Sequence, residues 1–295
     1  MSGPTGPNSR PMPPPLETIM SSEPATPSET TTRPEKVRVP TVRENPQFEI
    51  LYWVGCAAAY DRRAQRVARA VVKLLNAANV NFAILGREEK CTGDSARRLG
   101  EEFLFQELAE ANIATLDKYK VRRIIAHCPH CVNALLKDYP QFGGHYEVMH
   151  HSQFLSQLLQ DGRLQVTGEI PKSLQGEMTY HDPCYLARVN GIHNEPREVL
   201  TAAIGSGGVS DLREMPRCRE QTSCCGAGGG RMWMEETPAE RVSTQRAGEA
   251  LATGAQTIAV GCPFCLTMMT DGVAAQSSPA RVLDLAEILV ERMGL

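Results

Sequence analysis

The sequence has no run of 18 or more apolar residues, so no segment reads as a bilayer-spanning helix. It has no surplus of charge of either sign: 31 Lys and Arg stand against 34 Asp and Glu, a net charge of −3. General nucleic-acid and anionic-membrane binders need a basic excess, and that class is excluded. The opening residues Met1-Ser2-Gly3-Pro4 carry neither the basic nor the apolar region of a secretory signal. A reducing, cytoplasmic setting is therefore expected. No Walker-type phosphate loop occurs, and the glycines of Gly226–Gly230 miss G-x-G-x-x-G because Arg231 holds the sixth position. Nucleotide binding is not expected. What the chain does have is cysteine, ten in 295 residues. That is too sparse for a secreted disulfide scaffold, and in a reducing compartment it points to metal binding or catalysis.

The length suits two domains. Residues 1–45 hold 10 of the 20 prolines, no cysteine, and five charges of each sign. Such a stretch buries too little apolar surface to offset its ordering entropy and reads as a disordered tail or tether. From Phe48 onward, short β-rich runs alternate with helical spacing. Ile50–Val54 leads into Cys56, a helix follows Asp61, and Phe82–Leu85 forms the next strand. A single helix is expected from Ser95 to about Tyr119, with Leu99, Phe103, Leu104, Leu108 and Ala111 on one side. Val121–Ala126 then runs into Cys128-Pro129-His130-Cys131, and a helix follows to Tyr139.

The same order recurs. Cys91 and Cys225, Cys128 and Cys262, and Cys131 and Cys265 are each 134 residues apart, with 36 residues between the central cysteine and Cys-Pro-x-Cys in both copies. Three matches in one register mark an internal repeat. The expected fold is α/β: two tandem pseudo-repeated domains, 46–170 and 171–295, each a small parallel sheet flanked by helices. Parallel sheets bind ligands at the carboxyl ends of their strands, where these cysteines fall. The helix starts beside Cys131 and Cys265 add free N–H groups that favour thiolates.

Cys56, Cys91, Cys128 and Cys131 make four thiolates in the first copy, a set that suits either a cubane [4Fe–4S] cluster or tetrahedral zinc. Cys184, Cys224, Cys225, Cys262 and Cys265 make five in the second. That is one more than zinc or an ordinary cubane takes, and it suggests an unusual cluster with uneven iron coordination. A structural zinc site with a spare thiol is the plain alternative. Cys218 lies outside both patterns and reads as a free thiol. His127, His130 and His181 sit near these cysteines, as supporting groups or as ordinary hydrogen-bonded histidines. Met232, Trp233 and Met234 read as core or as an apolar cover.

The stretches Lys90-Cys91-Thr92-Gly93-Asp94, His181-Asp182-Pro183-Cys184-Tyr185 and Cys224-Cys225-Gly226-Ala227-Gly228-Gly229-Gly230-Arg231, with both Cys-Pro-x-Cys motifs, resemble the tandem cysteine-rich (CCG) domains of iron–sulfur oxidoreductases. That family includes the catalytic subunits of heterodisulfide reductase, the glycolate oxidase iron–sulfur subunit and lactate utilisation protein A. The resemblance covers about residues 48–295. It implies a [4Fe–4S]-type cluster, non-cubane in the best-defined members, held by Cys184, Cys224, Cys225, Cys262 and Cys265. Cys56, Cys91, Cys128 and Cys131 would hold a [4Fe–4S] cluster or zinc. Lys90 stands where a tandem cysteine would complete the first copy. That disfavours a second five-thiolate site, and the lysine's charge would raise the potential there.

The implied activity is disulfide/thiol redox chemistry in two one-electron steps at the cluster borne by Cys224 and Cys225, with His181 and Arg231 near the developing thiolate. The chain lacks the C-x2-C-x2-C-x3-C run of many relatives, so electrons would come from a ferredoxin-domain or flavoprotein subunit. A membrane-bound, quinone-linked partner would place the chain at the cytoplasmic face of the membrane. Two alternatives stay open: an electron-transfer subunit of a flavin-linked hydroxyacid or acyl-CoA dehydrogenase system, and a zinc-stabilised interaction module.

Overall fold

The computed structural model describes residues 37–205, 210–237 and 241–295. Positions 1–36 of the expected tail lie outside the described residues. Residues 37–45 are packed: Val42 is buried, and Thr41 bridges Ile84 at a sheet edge. The packed chain thus begins before Phe48.

Eight strands form two four-stranded parallel sheets. The first has the order β2-β1-β3-β4, from Phe82–Ala83, Ile50–Trp53, Arg123–Ala126 and Glu147–His150. The second repeats it as β6-β5-β7-β8, from Ser210–Arg213, Gly176–Tyr180, Thr257–Val260 and Arg281–Asp284. The central strands are continuous apolar runs. All four residues of β1 and of β7 are buried, as a parallel sheet covered on both faces requires. Register matches the repeats residue by residue. Tyr52 pairs with Ile125, and Tyr180 pairs with Ala259, which lies 134 residues beyond Ile125.

The two sheets share one core. Val71, Leu74, Leu155, Leu158, Leu200, Ile288 and Leu289 belong to a single buried cluster drawn from both repeats. At roughly 1.5–3 kcal/mol per fully buried aliphatic side chain, this seam is a large share of the fold's stability. Arg63 locks its edge with a two-pronged pair to Glu287, at 2.6 and 2.7 Å, and a bond to the Val282 carbonyl at 3.0 Å. The link between repeats, 161–175, runs past position 170, and the Arg292 guanidinium ties down the carbonyls of Thr167 and Gly168.

The expected helix 95–119 is two helices, Asp94–Arg98 and Glu102–Lys118, broken at Leu99 to Glu101. Its buried side is also different. Phe105, Ala109, Asn112, Ile113 and Leu116 face the sheet, whereas Phe103 is 92% exposed and Leu99 and Leu104 are about half exposed. Both sets obey helical spacing, and a polar residue, Asn112, occupies the centre of the true core stripe and disguises it. Leu99 turns instead toward the second repeat, against the α-carbon of Gly230.

Candidate metal centre

The carboxyl ends of the central strands deliver the cysteines. β3 ends two residues before Cys128 and β7 two residues before Cys262. Pro129 and Pro263 then open the helices Pro129–Asn133 and Pro263–Ala275, whose first turns carry Cys131 and Cys265. Proline fits there because its missing N–H is one the helix would leave unpaired. The Val132 and Leu266 amides close these turns on the Cys128 and Cys262 carbonyls at 3.0 and 2.8 Å. Cys184 opens the helix Cys184–Asn190 after Pro183. Asp182 before it is fully buried and holds Arg197 with two bonds of 2.8 Å. Asp182 also receives the Arg219 amide at 2.8 Å, and its carbonyl receives the Thr222 hydroxyl at 2.9 Å. The loop that leads into Cys224 is thereby fastened to the strand end that leads into Cys184.

Nine of the ten cysteines lie in a file across the two repeats, the four of the first repeat around one recess. Cys56 bonds Cys91 in the first repeat, and Cys131 bonds Cys128. Cys128 meets Cys262 across the seam, and Cys262 bonds Cys265. Cys265 lies 3.3 Å from Cys225, which neighbours Cys224, and Cys224 lies 4.0 Å from Cys184. All are free thiols. The middle of the file is buried, and Cys56 and Cys91 at one end and Cys184 and Cys224 at the other are half-buried. The first end opens into a shallow recess lined by Cys56, Cys91, His127, Cys128, His130 and Phe264, among others.

Local donors favour thiolate at chosen positions. Bonds from Cys184 and Cys225, with the Gly226 amide at 3.2 Å, hold Cys224 far below the ordinary thiol range. A bond from Cys56, with the Gly93 amide at 3.4 Å, brings Cys91 down to about 7. Bonds from Cys131 and Cys262 lower Cys128. Gly226 has φ +91, and a Cβ there would lie 3.0 Å from the Val242 Cβ, so only glycine makes this turn without strain.

Of the other sequence candidates, His181 is fully buried beside the second set, its nearest ring nitrogen within 4.8 Å of the Cys225 and Cys265 sulfurs. Its Nδ1 accepts from Arg246 Nε at 3.0 Å, and its Nε2 has no hydrogen-bond partner. Arg231 is half exposed and pairs with Glu236. Cys218 stands apart beside Glu214. His130 bonds Asp94 at 2.8 Å and stacks against Tyr185 and Phe264, so the variable residues of the two Cys-Pro-x-Cys motifs touch. Trp233 is 61% exposed, with its ring centroid 6.3 Å from that of Phe264, and forms part of a rim rather than core.

Sequence reading missed the polar groups behind the sulfurs. Arg246 is buried and also bonds Glu249 at 2.7 Å. Its counterpart 134 residues earlier is Asn112, so the cysteine spacing itself was the signal that locates it. Glu89 accepts the Gly55 and Val54 amides beneath Cys91, and burial pushes its carboxyl up to about 8. Between the repeats, His150 Nε2 meets the Gly261 carbonyl at 2.9 Å, and His151 Nε2 meets Asp284 at 3.0 Å. Burial pushes His127 down to about 4, His151 to about 3 and His181 to about 3, and holds His150 well below its usual value.

With two parallel repeats and a file of thiols at their strand ends, the chain belongs to the CCG cysteine-rich domain family, whose pattern matches residues 50–136 and 178–270. It is 44% identical to the probable iron-sulfur-binding oxidoreductase FadF of Bacillus subtilis over 86% of this chain and 36% of that one. It is also 44% identical to the EtfAB:quinone oxidoreductase of Syntrophomonas wolfei, over 84% of this chain and 35% of that one. Identity to one subunit of the dihydromethanophenazine:CoB–CoM heterodisulfide reductase of Methanosarcina barkeri is 35%, over 87% of this chain and 62% of that one. The chain thus spans about a third of the length of the first two relatives. Among the described residues no helix is long and apolar enough to cross a membrane.

Proposed function

We propose that the chain is an iron–sulfur redox subunit. Cys184, Cys224, Cys225, Cys262 and Cys265 hold a [4Fe–4S]-type cluster, and Cys56, Cys91, Cys128 and Cys131 hold a second centre, a [4Fe–4S] cluster or zinc. The observation that carries this reading is the file of nine free thiols, sealed in the middle and accessible at both ends. The donor set fits such a group: sulfur ligands, backbone amides aimed at Cys91 and Cys224, and an unpartnered His181 nitrogen beside the second set. An iron–sulfur cluster supplies one-electron steps, and two of them with two protons convert a disulfide to two thiols.

The chain's own residues do the positioning. The Asp182–Arg197 pair fixes Cys184 against Cys224, the Gly226 turn presents Cys224 and Cys225 together, and the buried seam keeps water from Cys128 and Cys262. Leu99, Phe103, Trp233 and Met234 expose apolar surface, and part of it flanks the glycine turn where a partner carrying a flavin or ferredoxin would approach. The names of the relatives support a flavoprotein or quinone-linked complex as the working context.

Disulfide reduction by the holoprotein with an artificial one-electron donor tests the activity. Turnover supports a disulfide substrate, whereas a redox-active but silent protein is an electron-transfer subunit. The zinc reading has one observation in its favour: the sulfur separations of 3.3 and 4.0 Å are near the ~3.8 Å edge of a zinc tetrahedron with bonds of about 2.3 Å.

A further inference from the structure

The two thiol sets occupy equivalent places in the two repeats, but the groups behind them differ in electrostatic character. The register that equates Tyr52 with Tyr180 equates Trp53 with His181. The 134-residue spacing equates Asn112 with Arg246 and Glu89 with Ser223. Behind the second set stands the buried guanidinium of Arg246. Its partner Glu249 is shared with Arg217, at 3.0 Å, so this group of three keeps one positive charge. Arg246 Nε donates to His181 Nδ1, so that nitrogen keeps its lone pair and the ring's proton sits on the buried, unpartnered Nε2, in a ring beside Cys225 and Cys265. Held in this tautomer, His181 cannot ligate through Nε2. It is a hydrogen-bond donor to whatever anion the sulfurs carry, and Arg246 polarises it.

Behind the first set there is no counterpart cation among the described residues. Asn112 is neutral and bonds the Cys91 carbonyl and the Tyr139 hydroxyl, each at 3.0 Å. Glu89 is a carboxyl held by two backbone amides, with no cation among its described partners. Asp94 is offset by Arg98 and hydrogen-bonds the His130 ring. Lys90, expected from the sequence to raise the potential here, is exposed, so water and salt screen its charge. Charges act strongly where they are buried, and among the described residues the fully buried guanidinium stands behind the second set.

We infer that the chain carries a built-in potential step, with Arg246 and His181 as positioning residues that raise the reduction potential of the second centre above that of the first, so that electrons enter at the Cys56–Cys91 end and leave at the Cys184–Cys224 end. This rests on the functional reading above, with iron in both sets. One electron at a time passes from the first centre to the second, and no bond changes in the protein.

The test is an anaerobic, EPR-monitored redox titration of the holoprotein, with the second centre's signal identified by its loss in Cys225→Ser. The wild type is expected to show the second midpoint above the first. Arg246→Gln is expected to lower the second midpoint by at least a tenfold change in the reduced-to-oxidised ratio, about 59 mV for one electron, and to leave the first unmoved. Arg246→Lys should recover part of that shift, because it restores charge without the guanidinium fork.

A second midpoint at or below the first overturns the inference. So does an iron-loaded Arg246→Gln protein whose two midpoints stay put or move together, or zinc in the first set. If Arg246→Gln does not fold, the wild-type order and the Arg246→Lys shift decide. Absence of iron from both sets overturns the functional reading itself.

Discussion

Acidification should loosen the seam between the repeats, and His151 offers a clean way to measure it. The His151 ring is fully buried, neutral, and bonded to Asp284 at 3.0 Å, with burial lowering it to about 3 from an ordinary 6.5. Because the folded state resists the proton that the unfolded chain accepts, the ring's contribution is complete above pH 6.5. It is lost as pH falls from there toward the folded value. At pH 5 the unfolded ring is protonated and the folded one is not. The 1.5-unit gap from 6.5 is worth about 2 kcal/mol. His151→Gln keeps a donor for Asp284 but removes the titration.

Other groups run the opposite way on acidification. Asp284 is raised to about 6 and Glu89 to about 8, both by burial, and a variant-to-wild-type difference cancels them to first order. Urea denaturation of the holoprotein, followed by tryptophan fluorescence at pH 7 and pH 5, should therefore show the wild type losing about 2 kcal/mol more than His151→Gln. Equal losses in the two proteins would refute the claim that this ring is held neutral by burial.

Gly226→Ala places a Cβ 3.0 Å from that of Val242 at φ +91 and should strip iron from the second set, as measured by iron per chain. Gly229→Ala, with φ +67 and open space, should cost about 1 kcal/mol and keep its iron. Gly272→Ala drives a methyl to 2.4 Å from the Ser243 carbonyl where the helices Val242–Leu251 and Pro263–Ala275 cross. It should lower stability by about 1–3 kcal/mol in urea titrations.

The parallel sheets were legible because Ile50–Trp53 and Thr257–Val260 are apolar throughout and run straight into cysteines. The repeat was legible because three cysteine pairs keep one spacing. The helical face at 102–118 was misread, since its core stripe passes through Asn112 while Phe103 and Leu104 point outward. Arg246 escaped for the same reason: a charged residue in an amphipathic helix reads as solvated, and only its place behind Cys225 makes it internal. His150 and His151 lie between no motif residues, and they acquire partners, Gly261 and Asp284, only through a contact more than 100 residues away in the chain.

The most direct measurement is iron, sulfide and zinc quantitation on anaerobically purified protein, joined to low-temperature EPR of wild type, Cys224→Ser and Cys225→Ser. The account requires iron and sulfide with a paramagnetic signal from the second set that disappears in both variants. Zinc without iron or sulfide, or a signal and turnover that survive both substitutions, would contradict it.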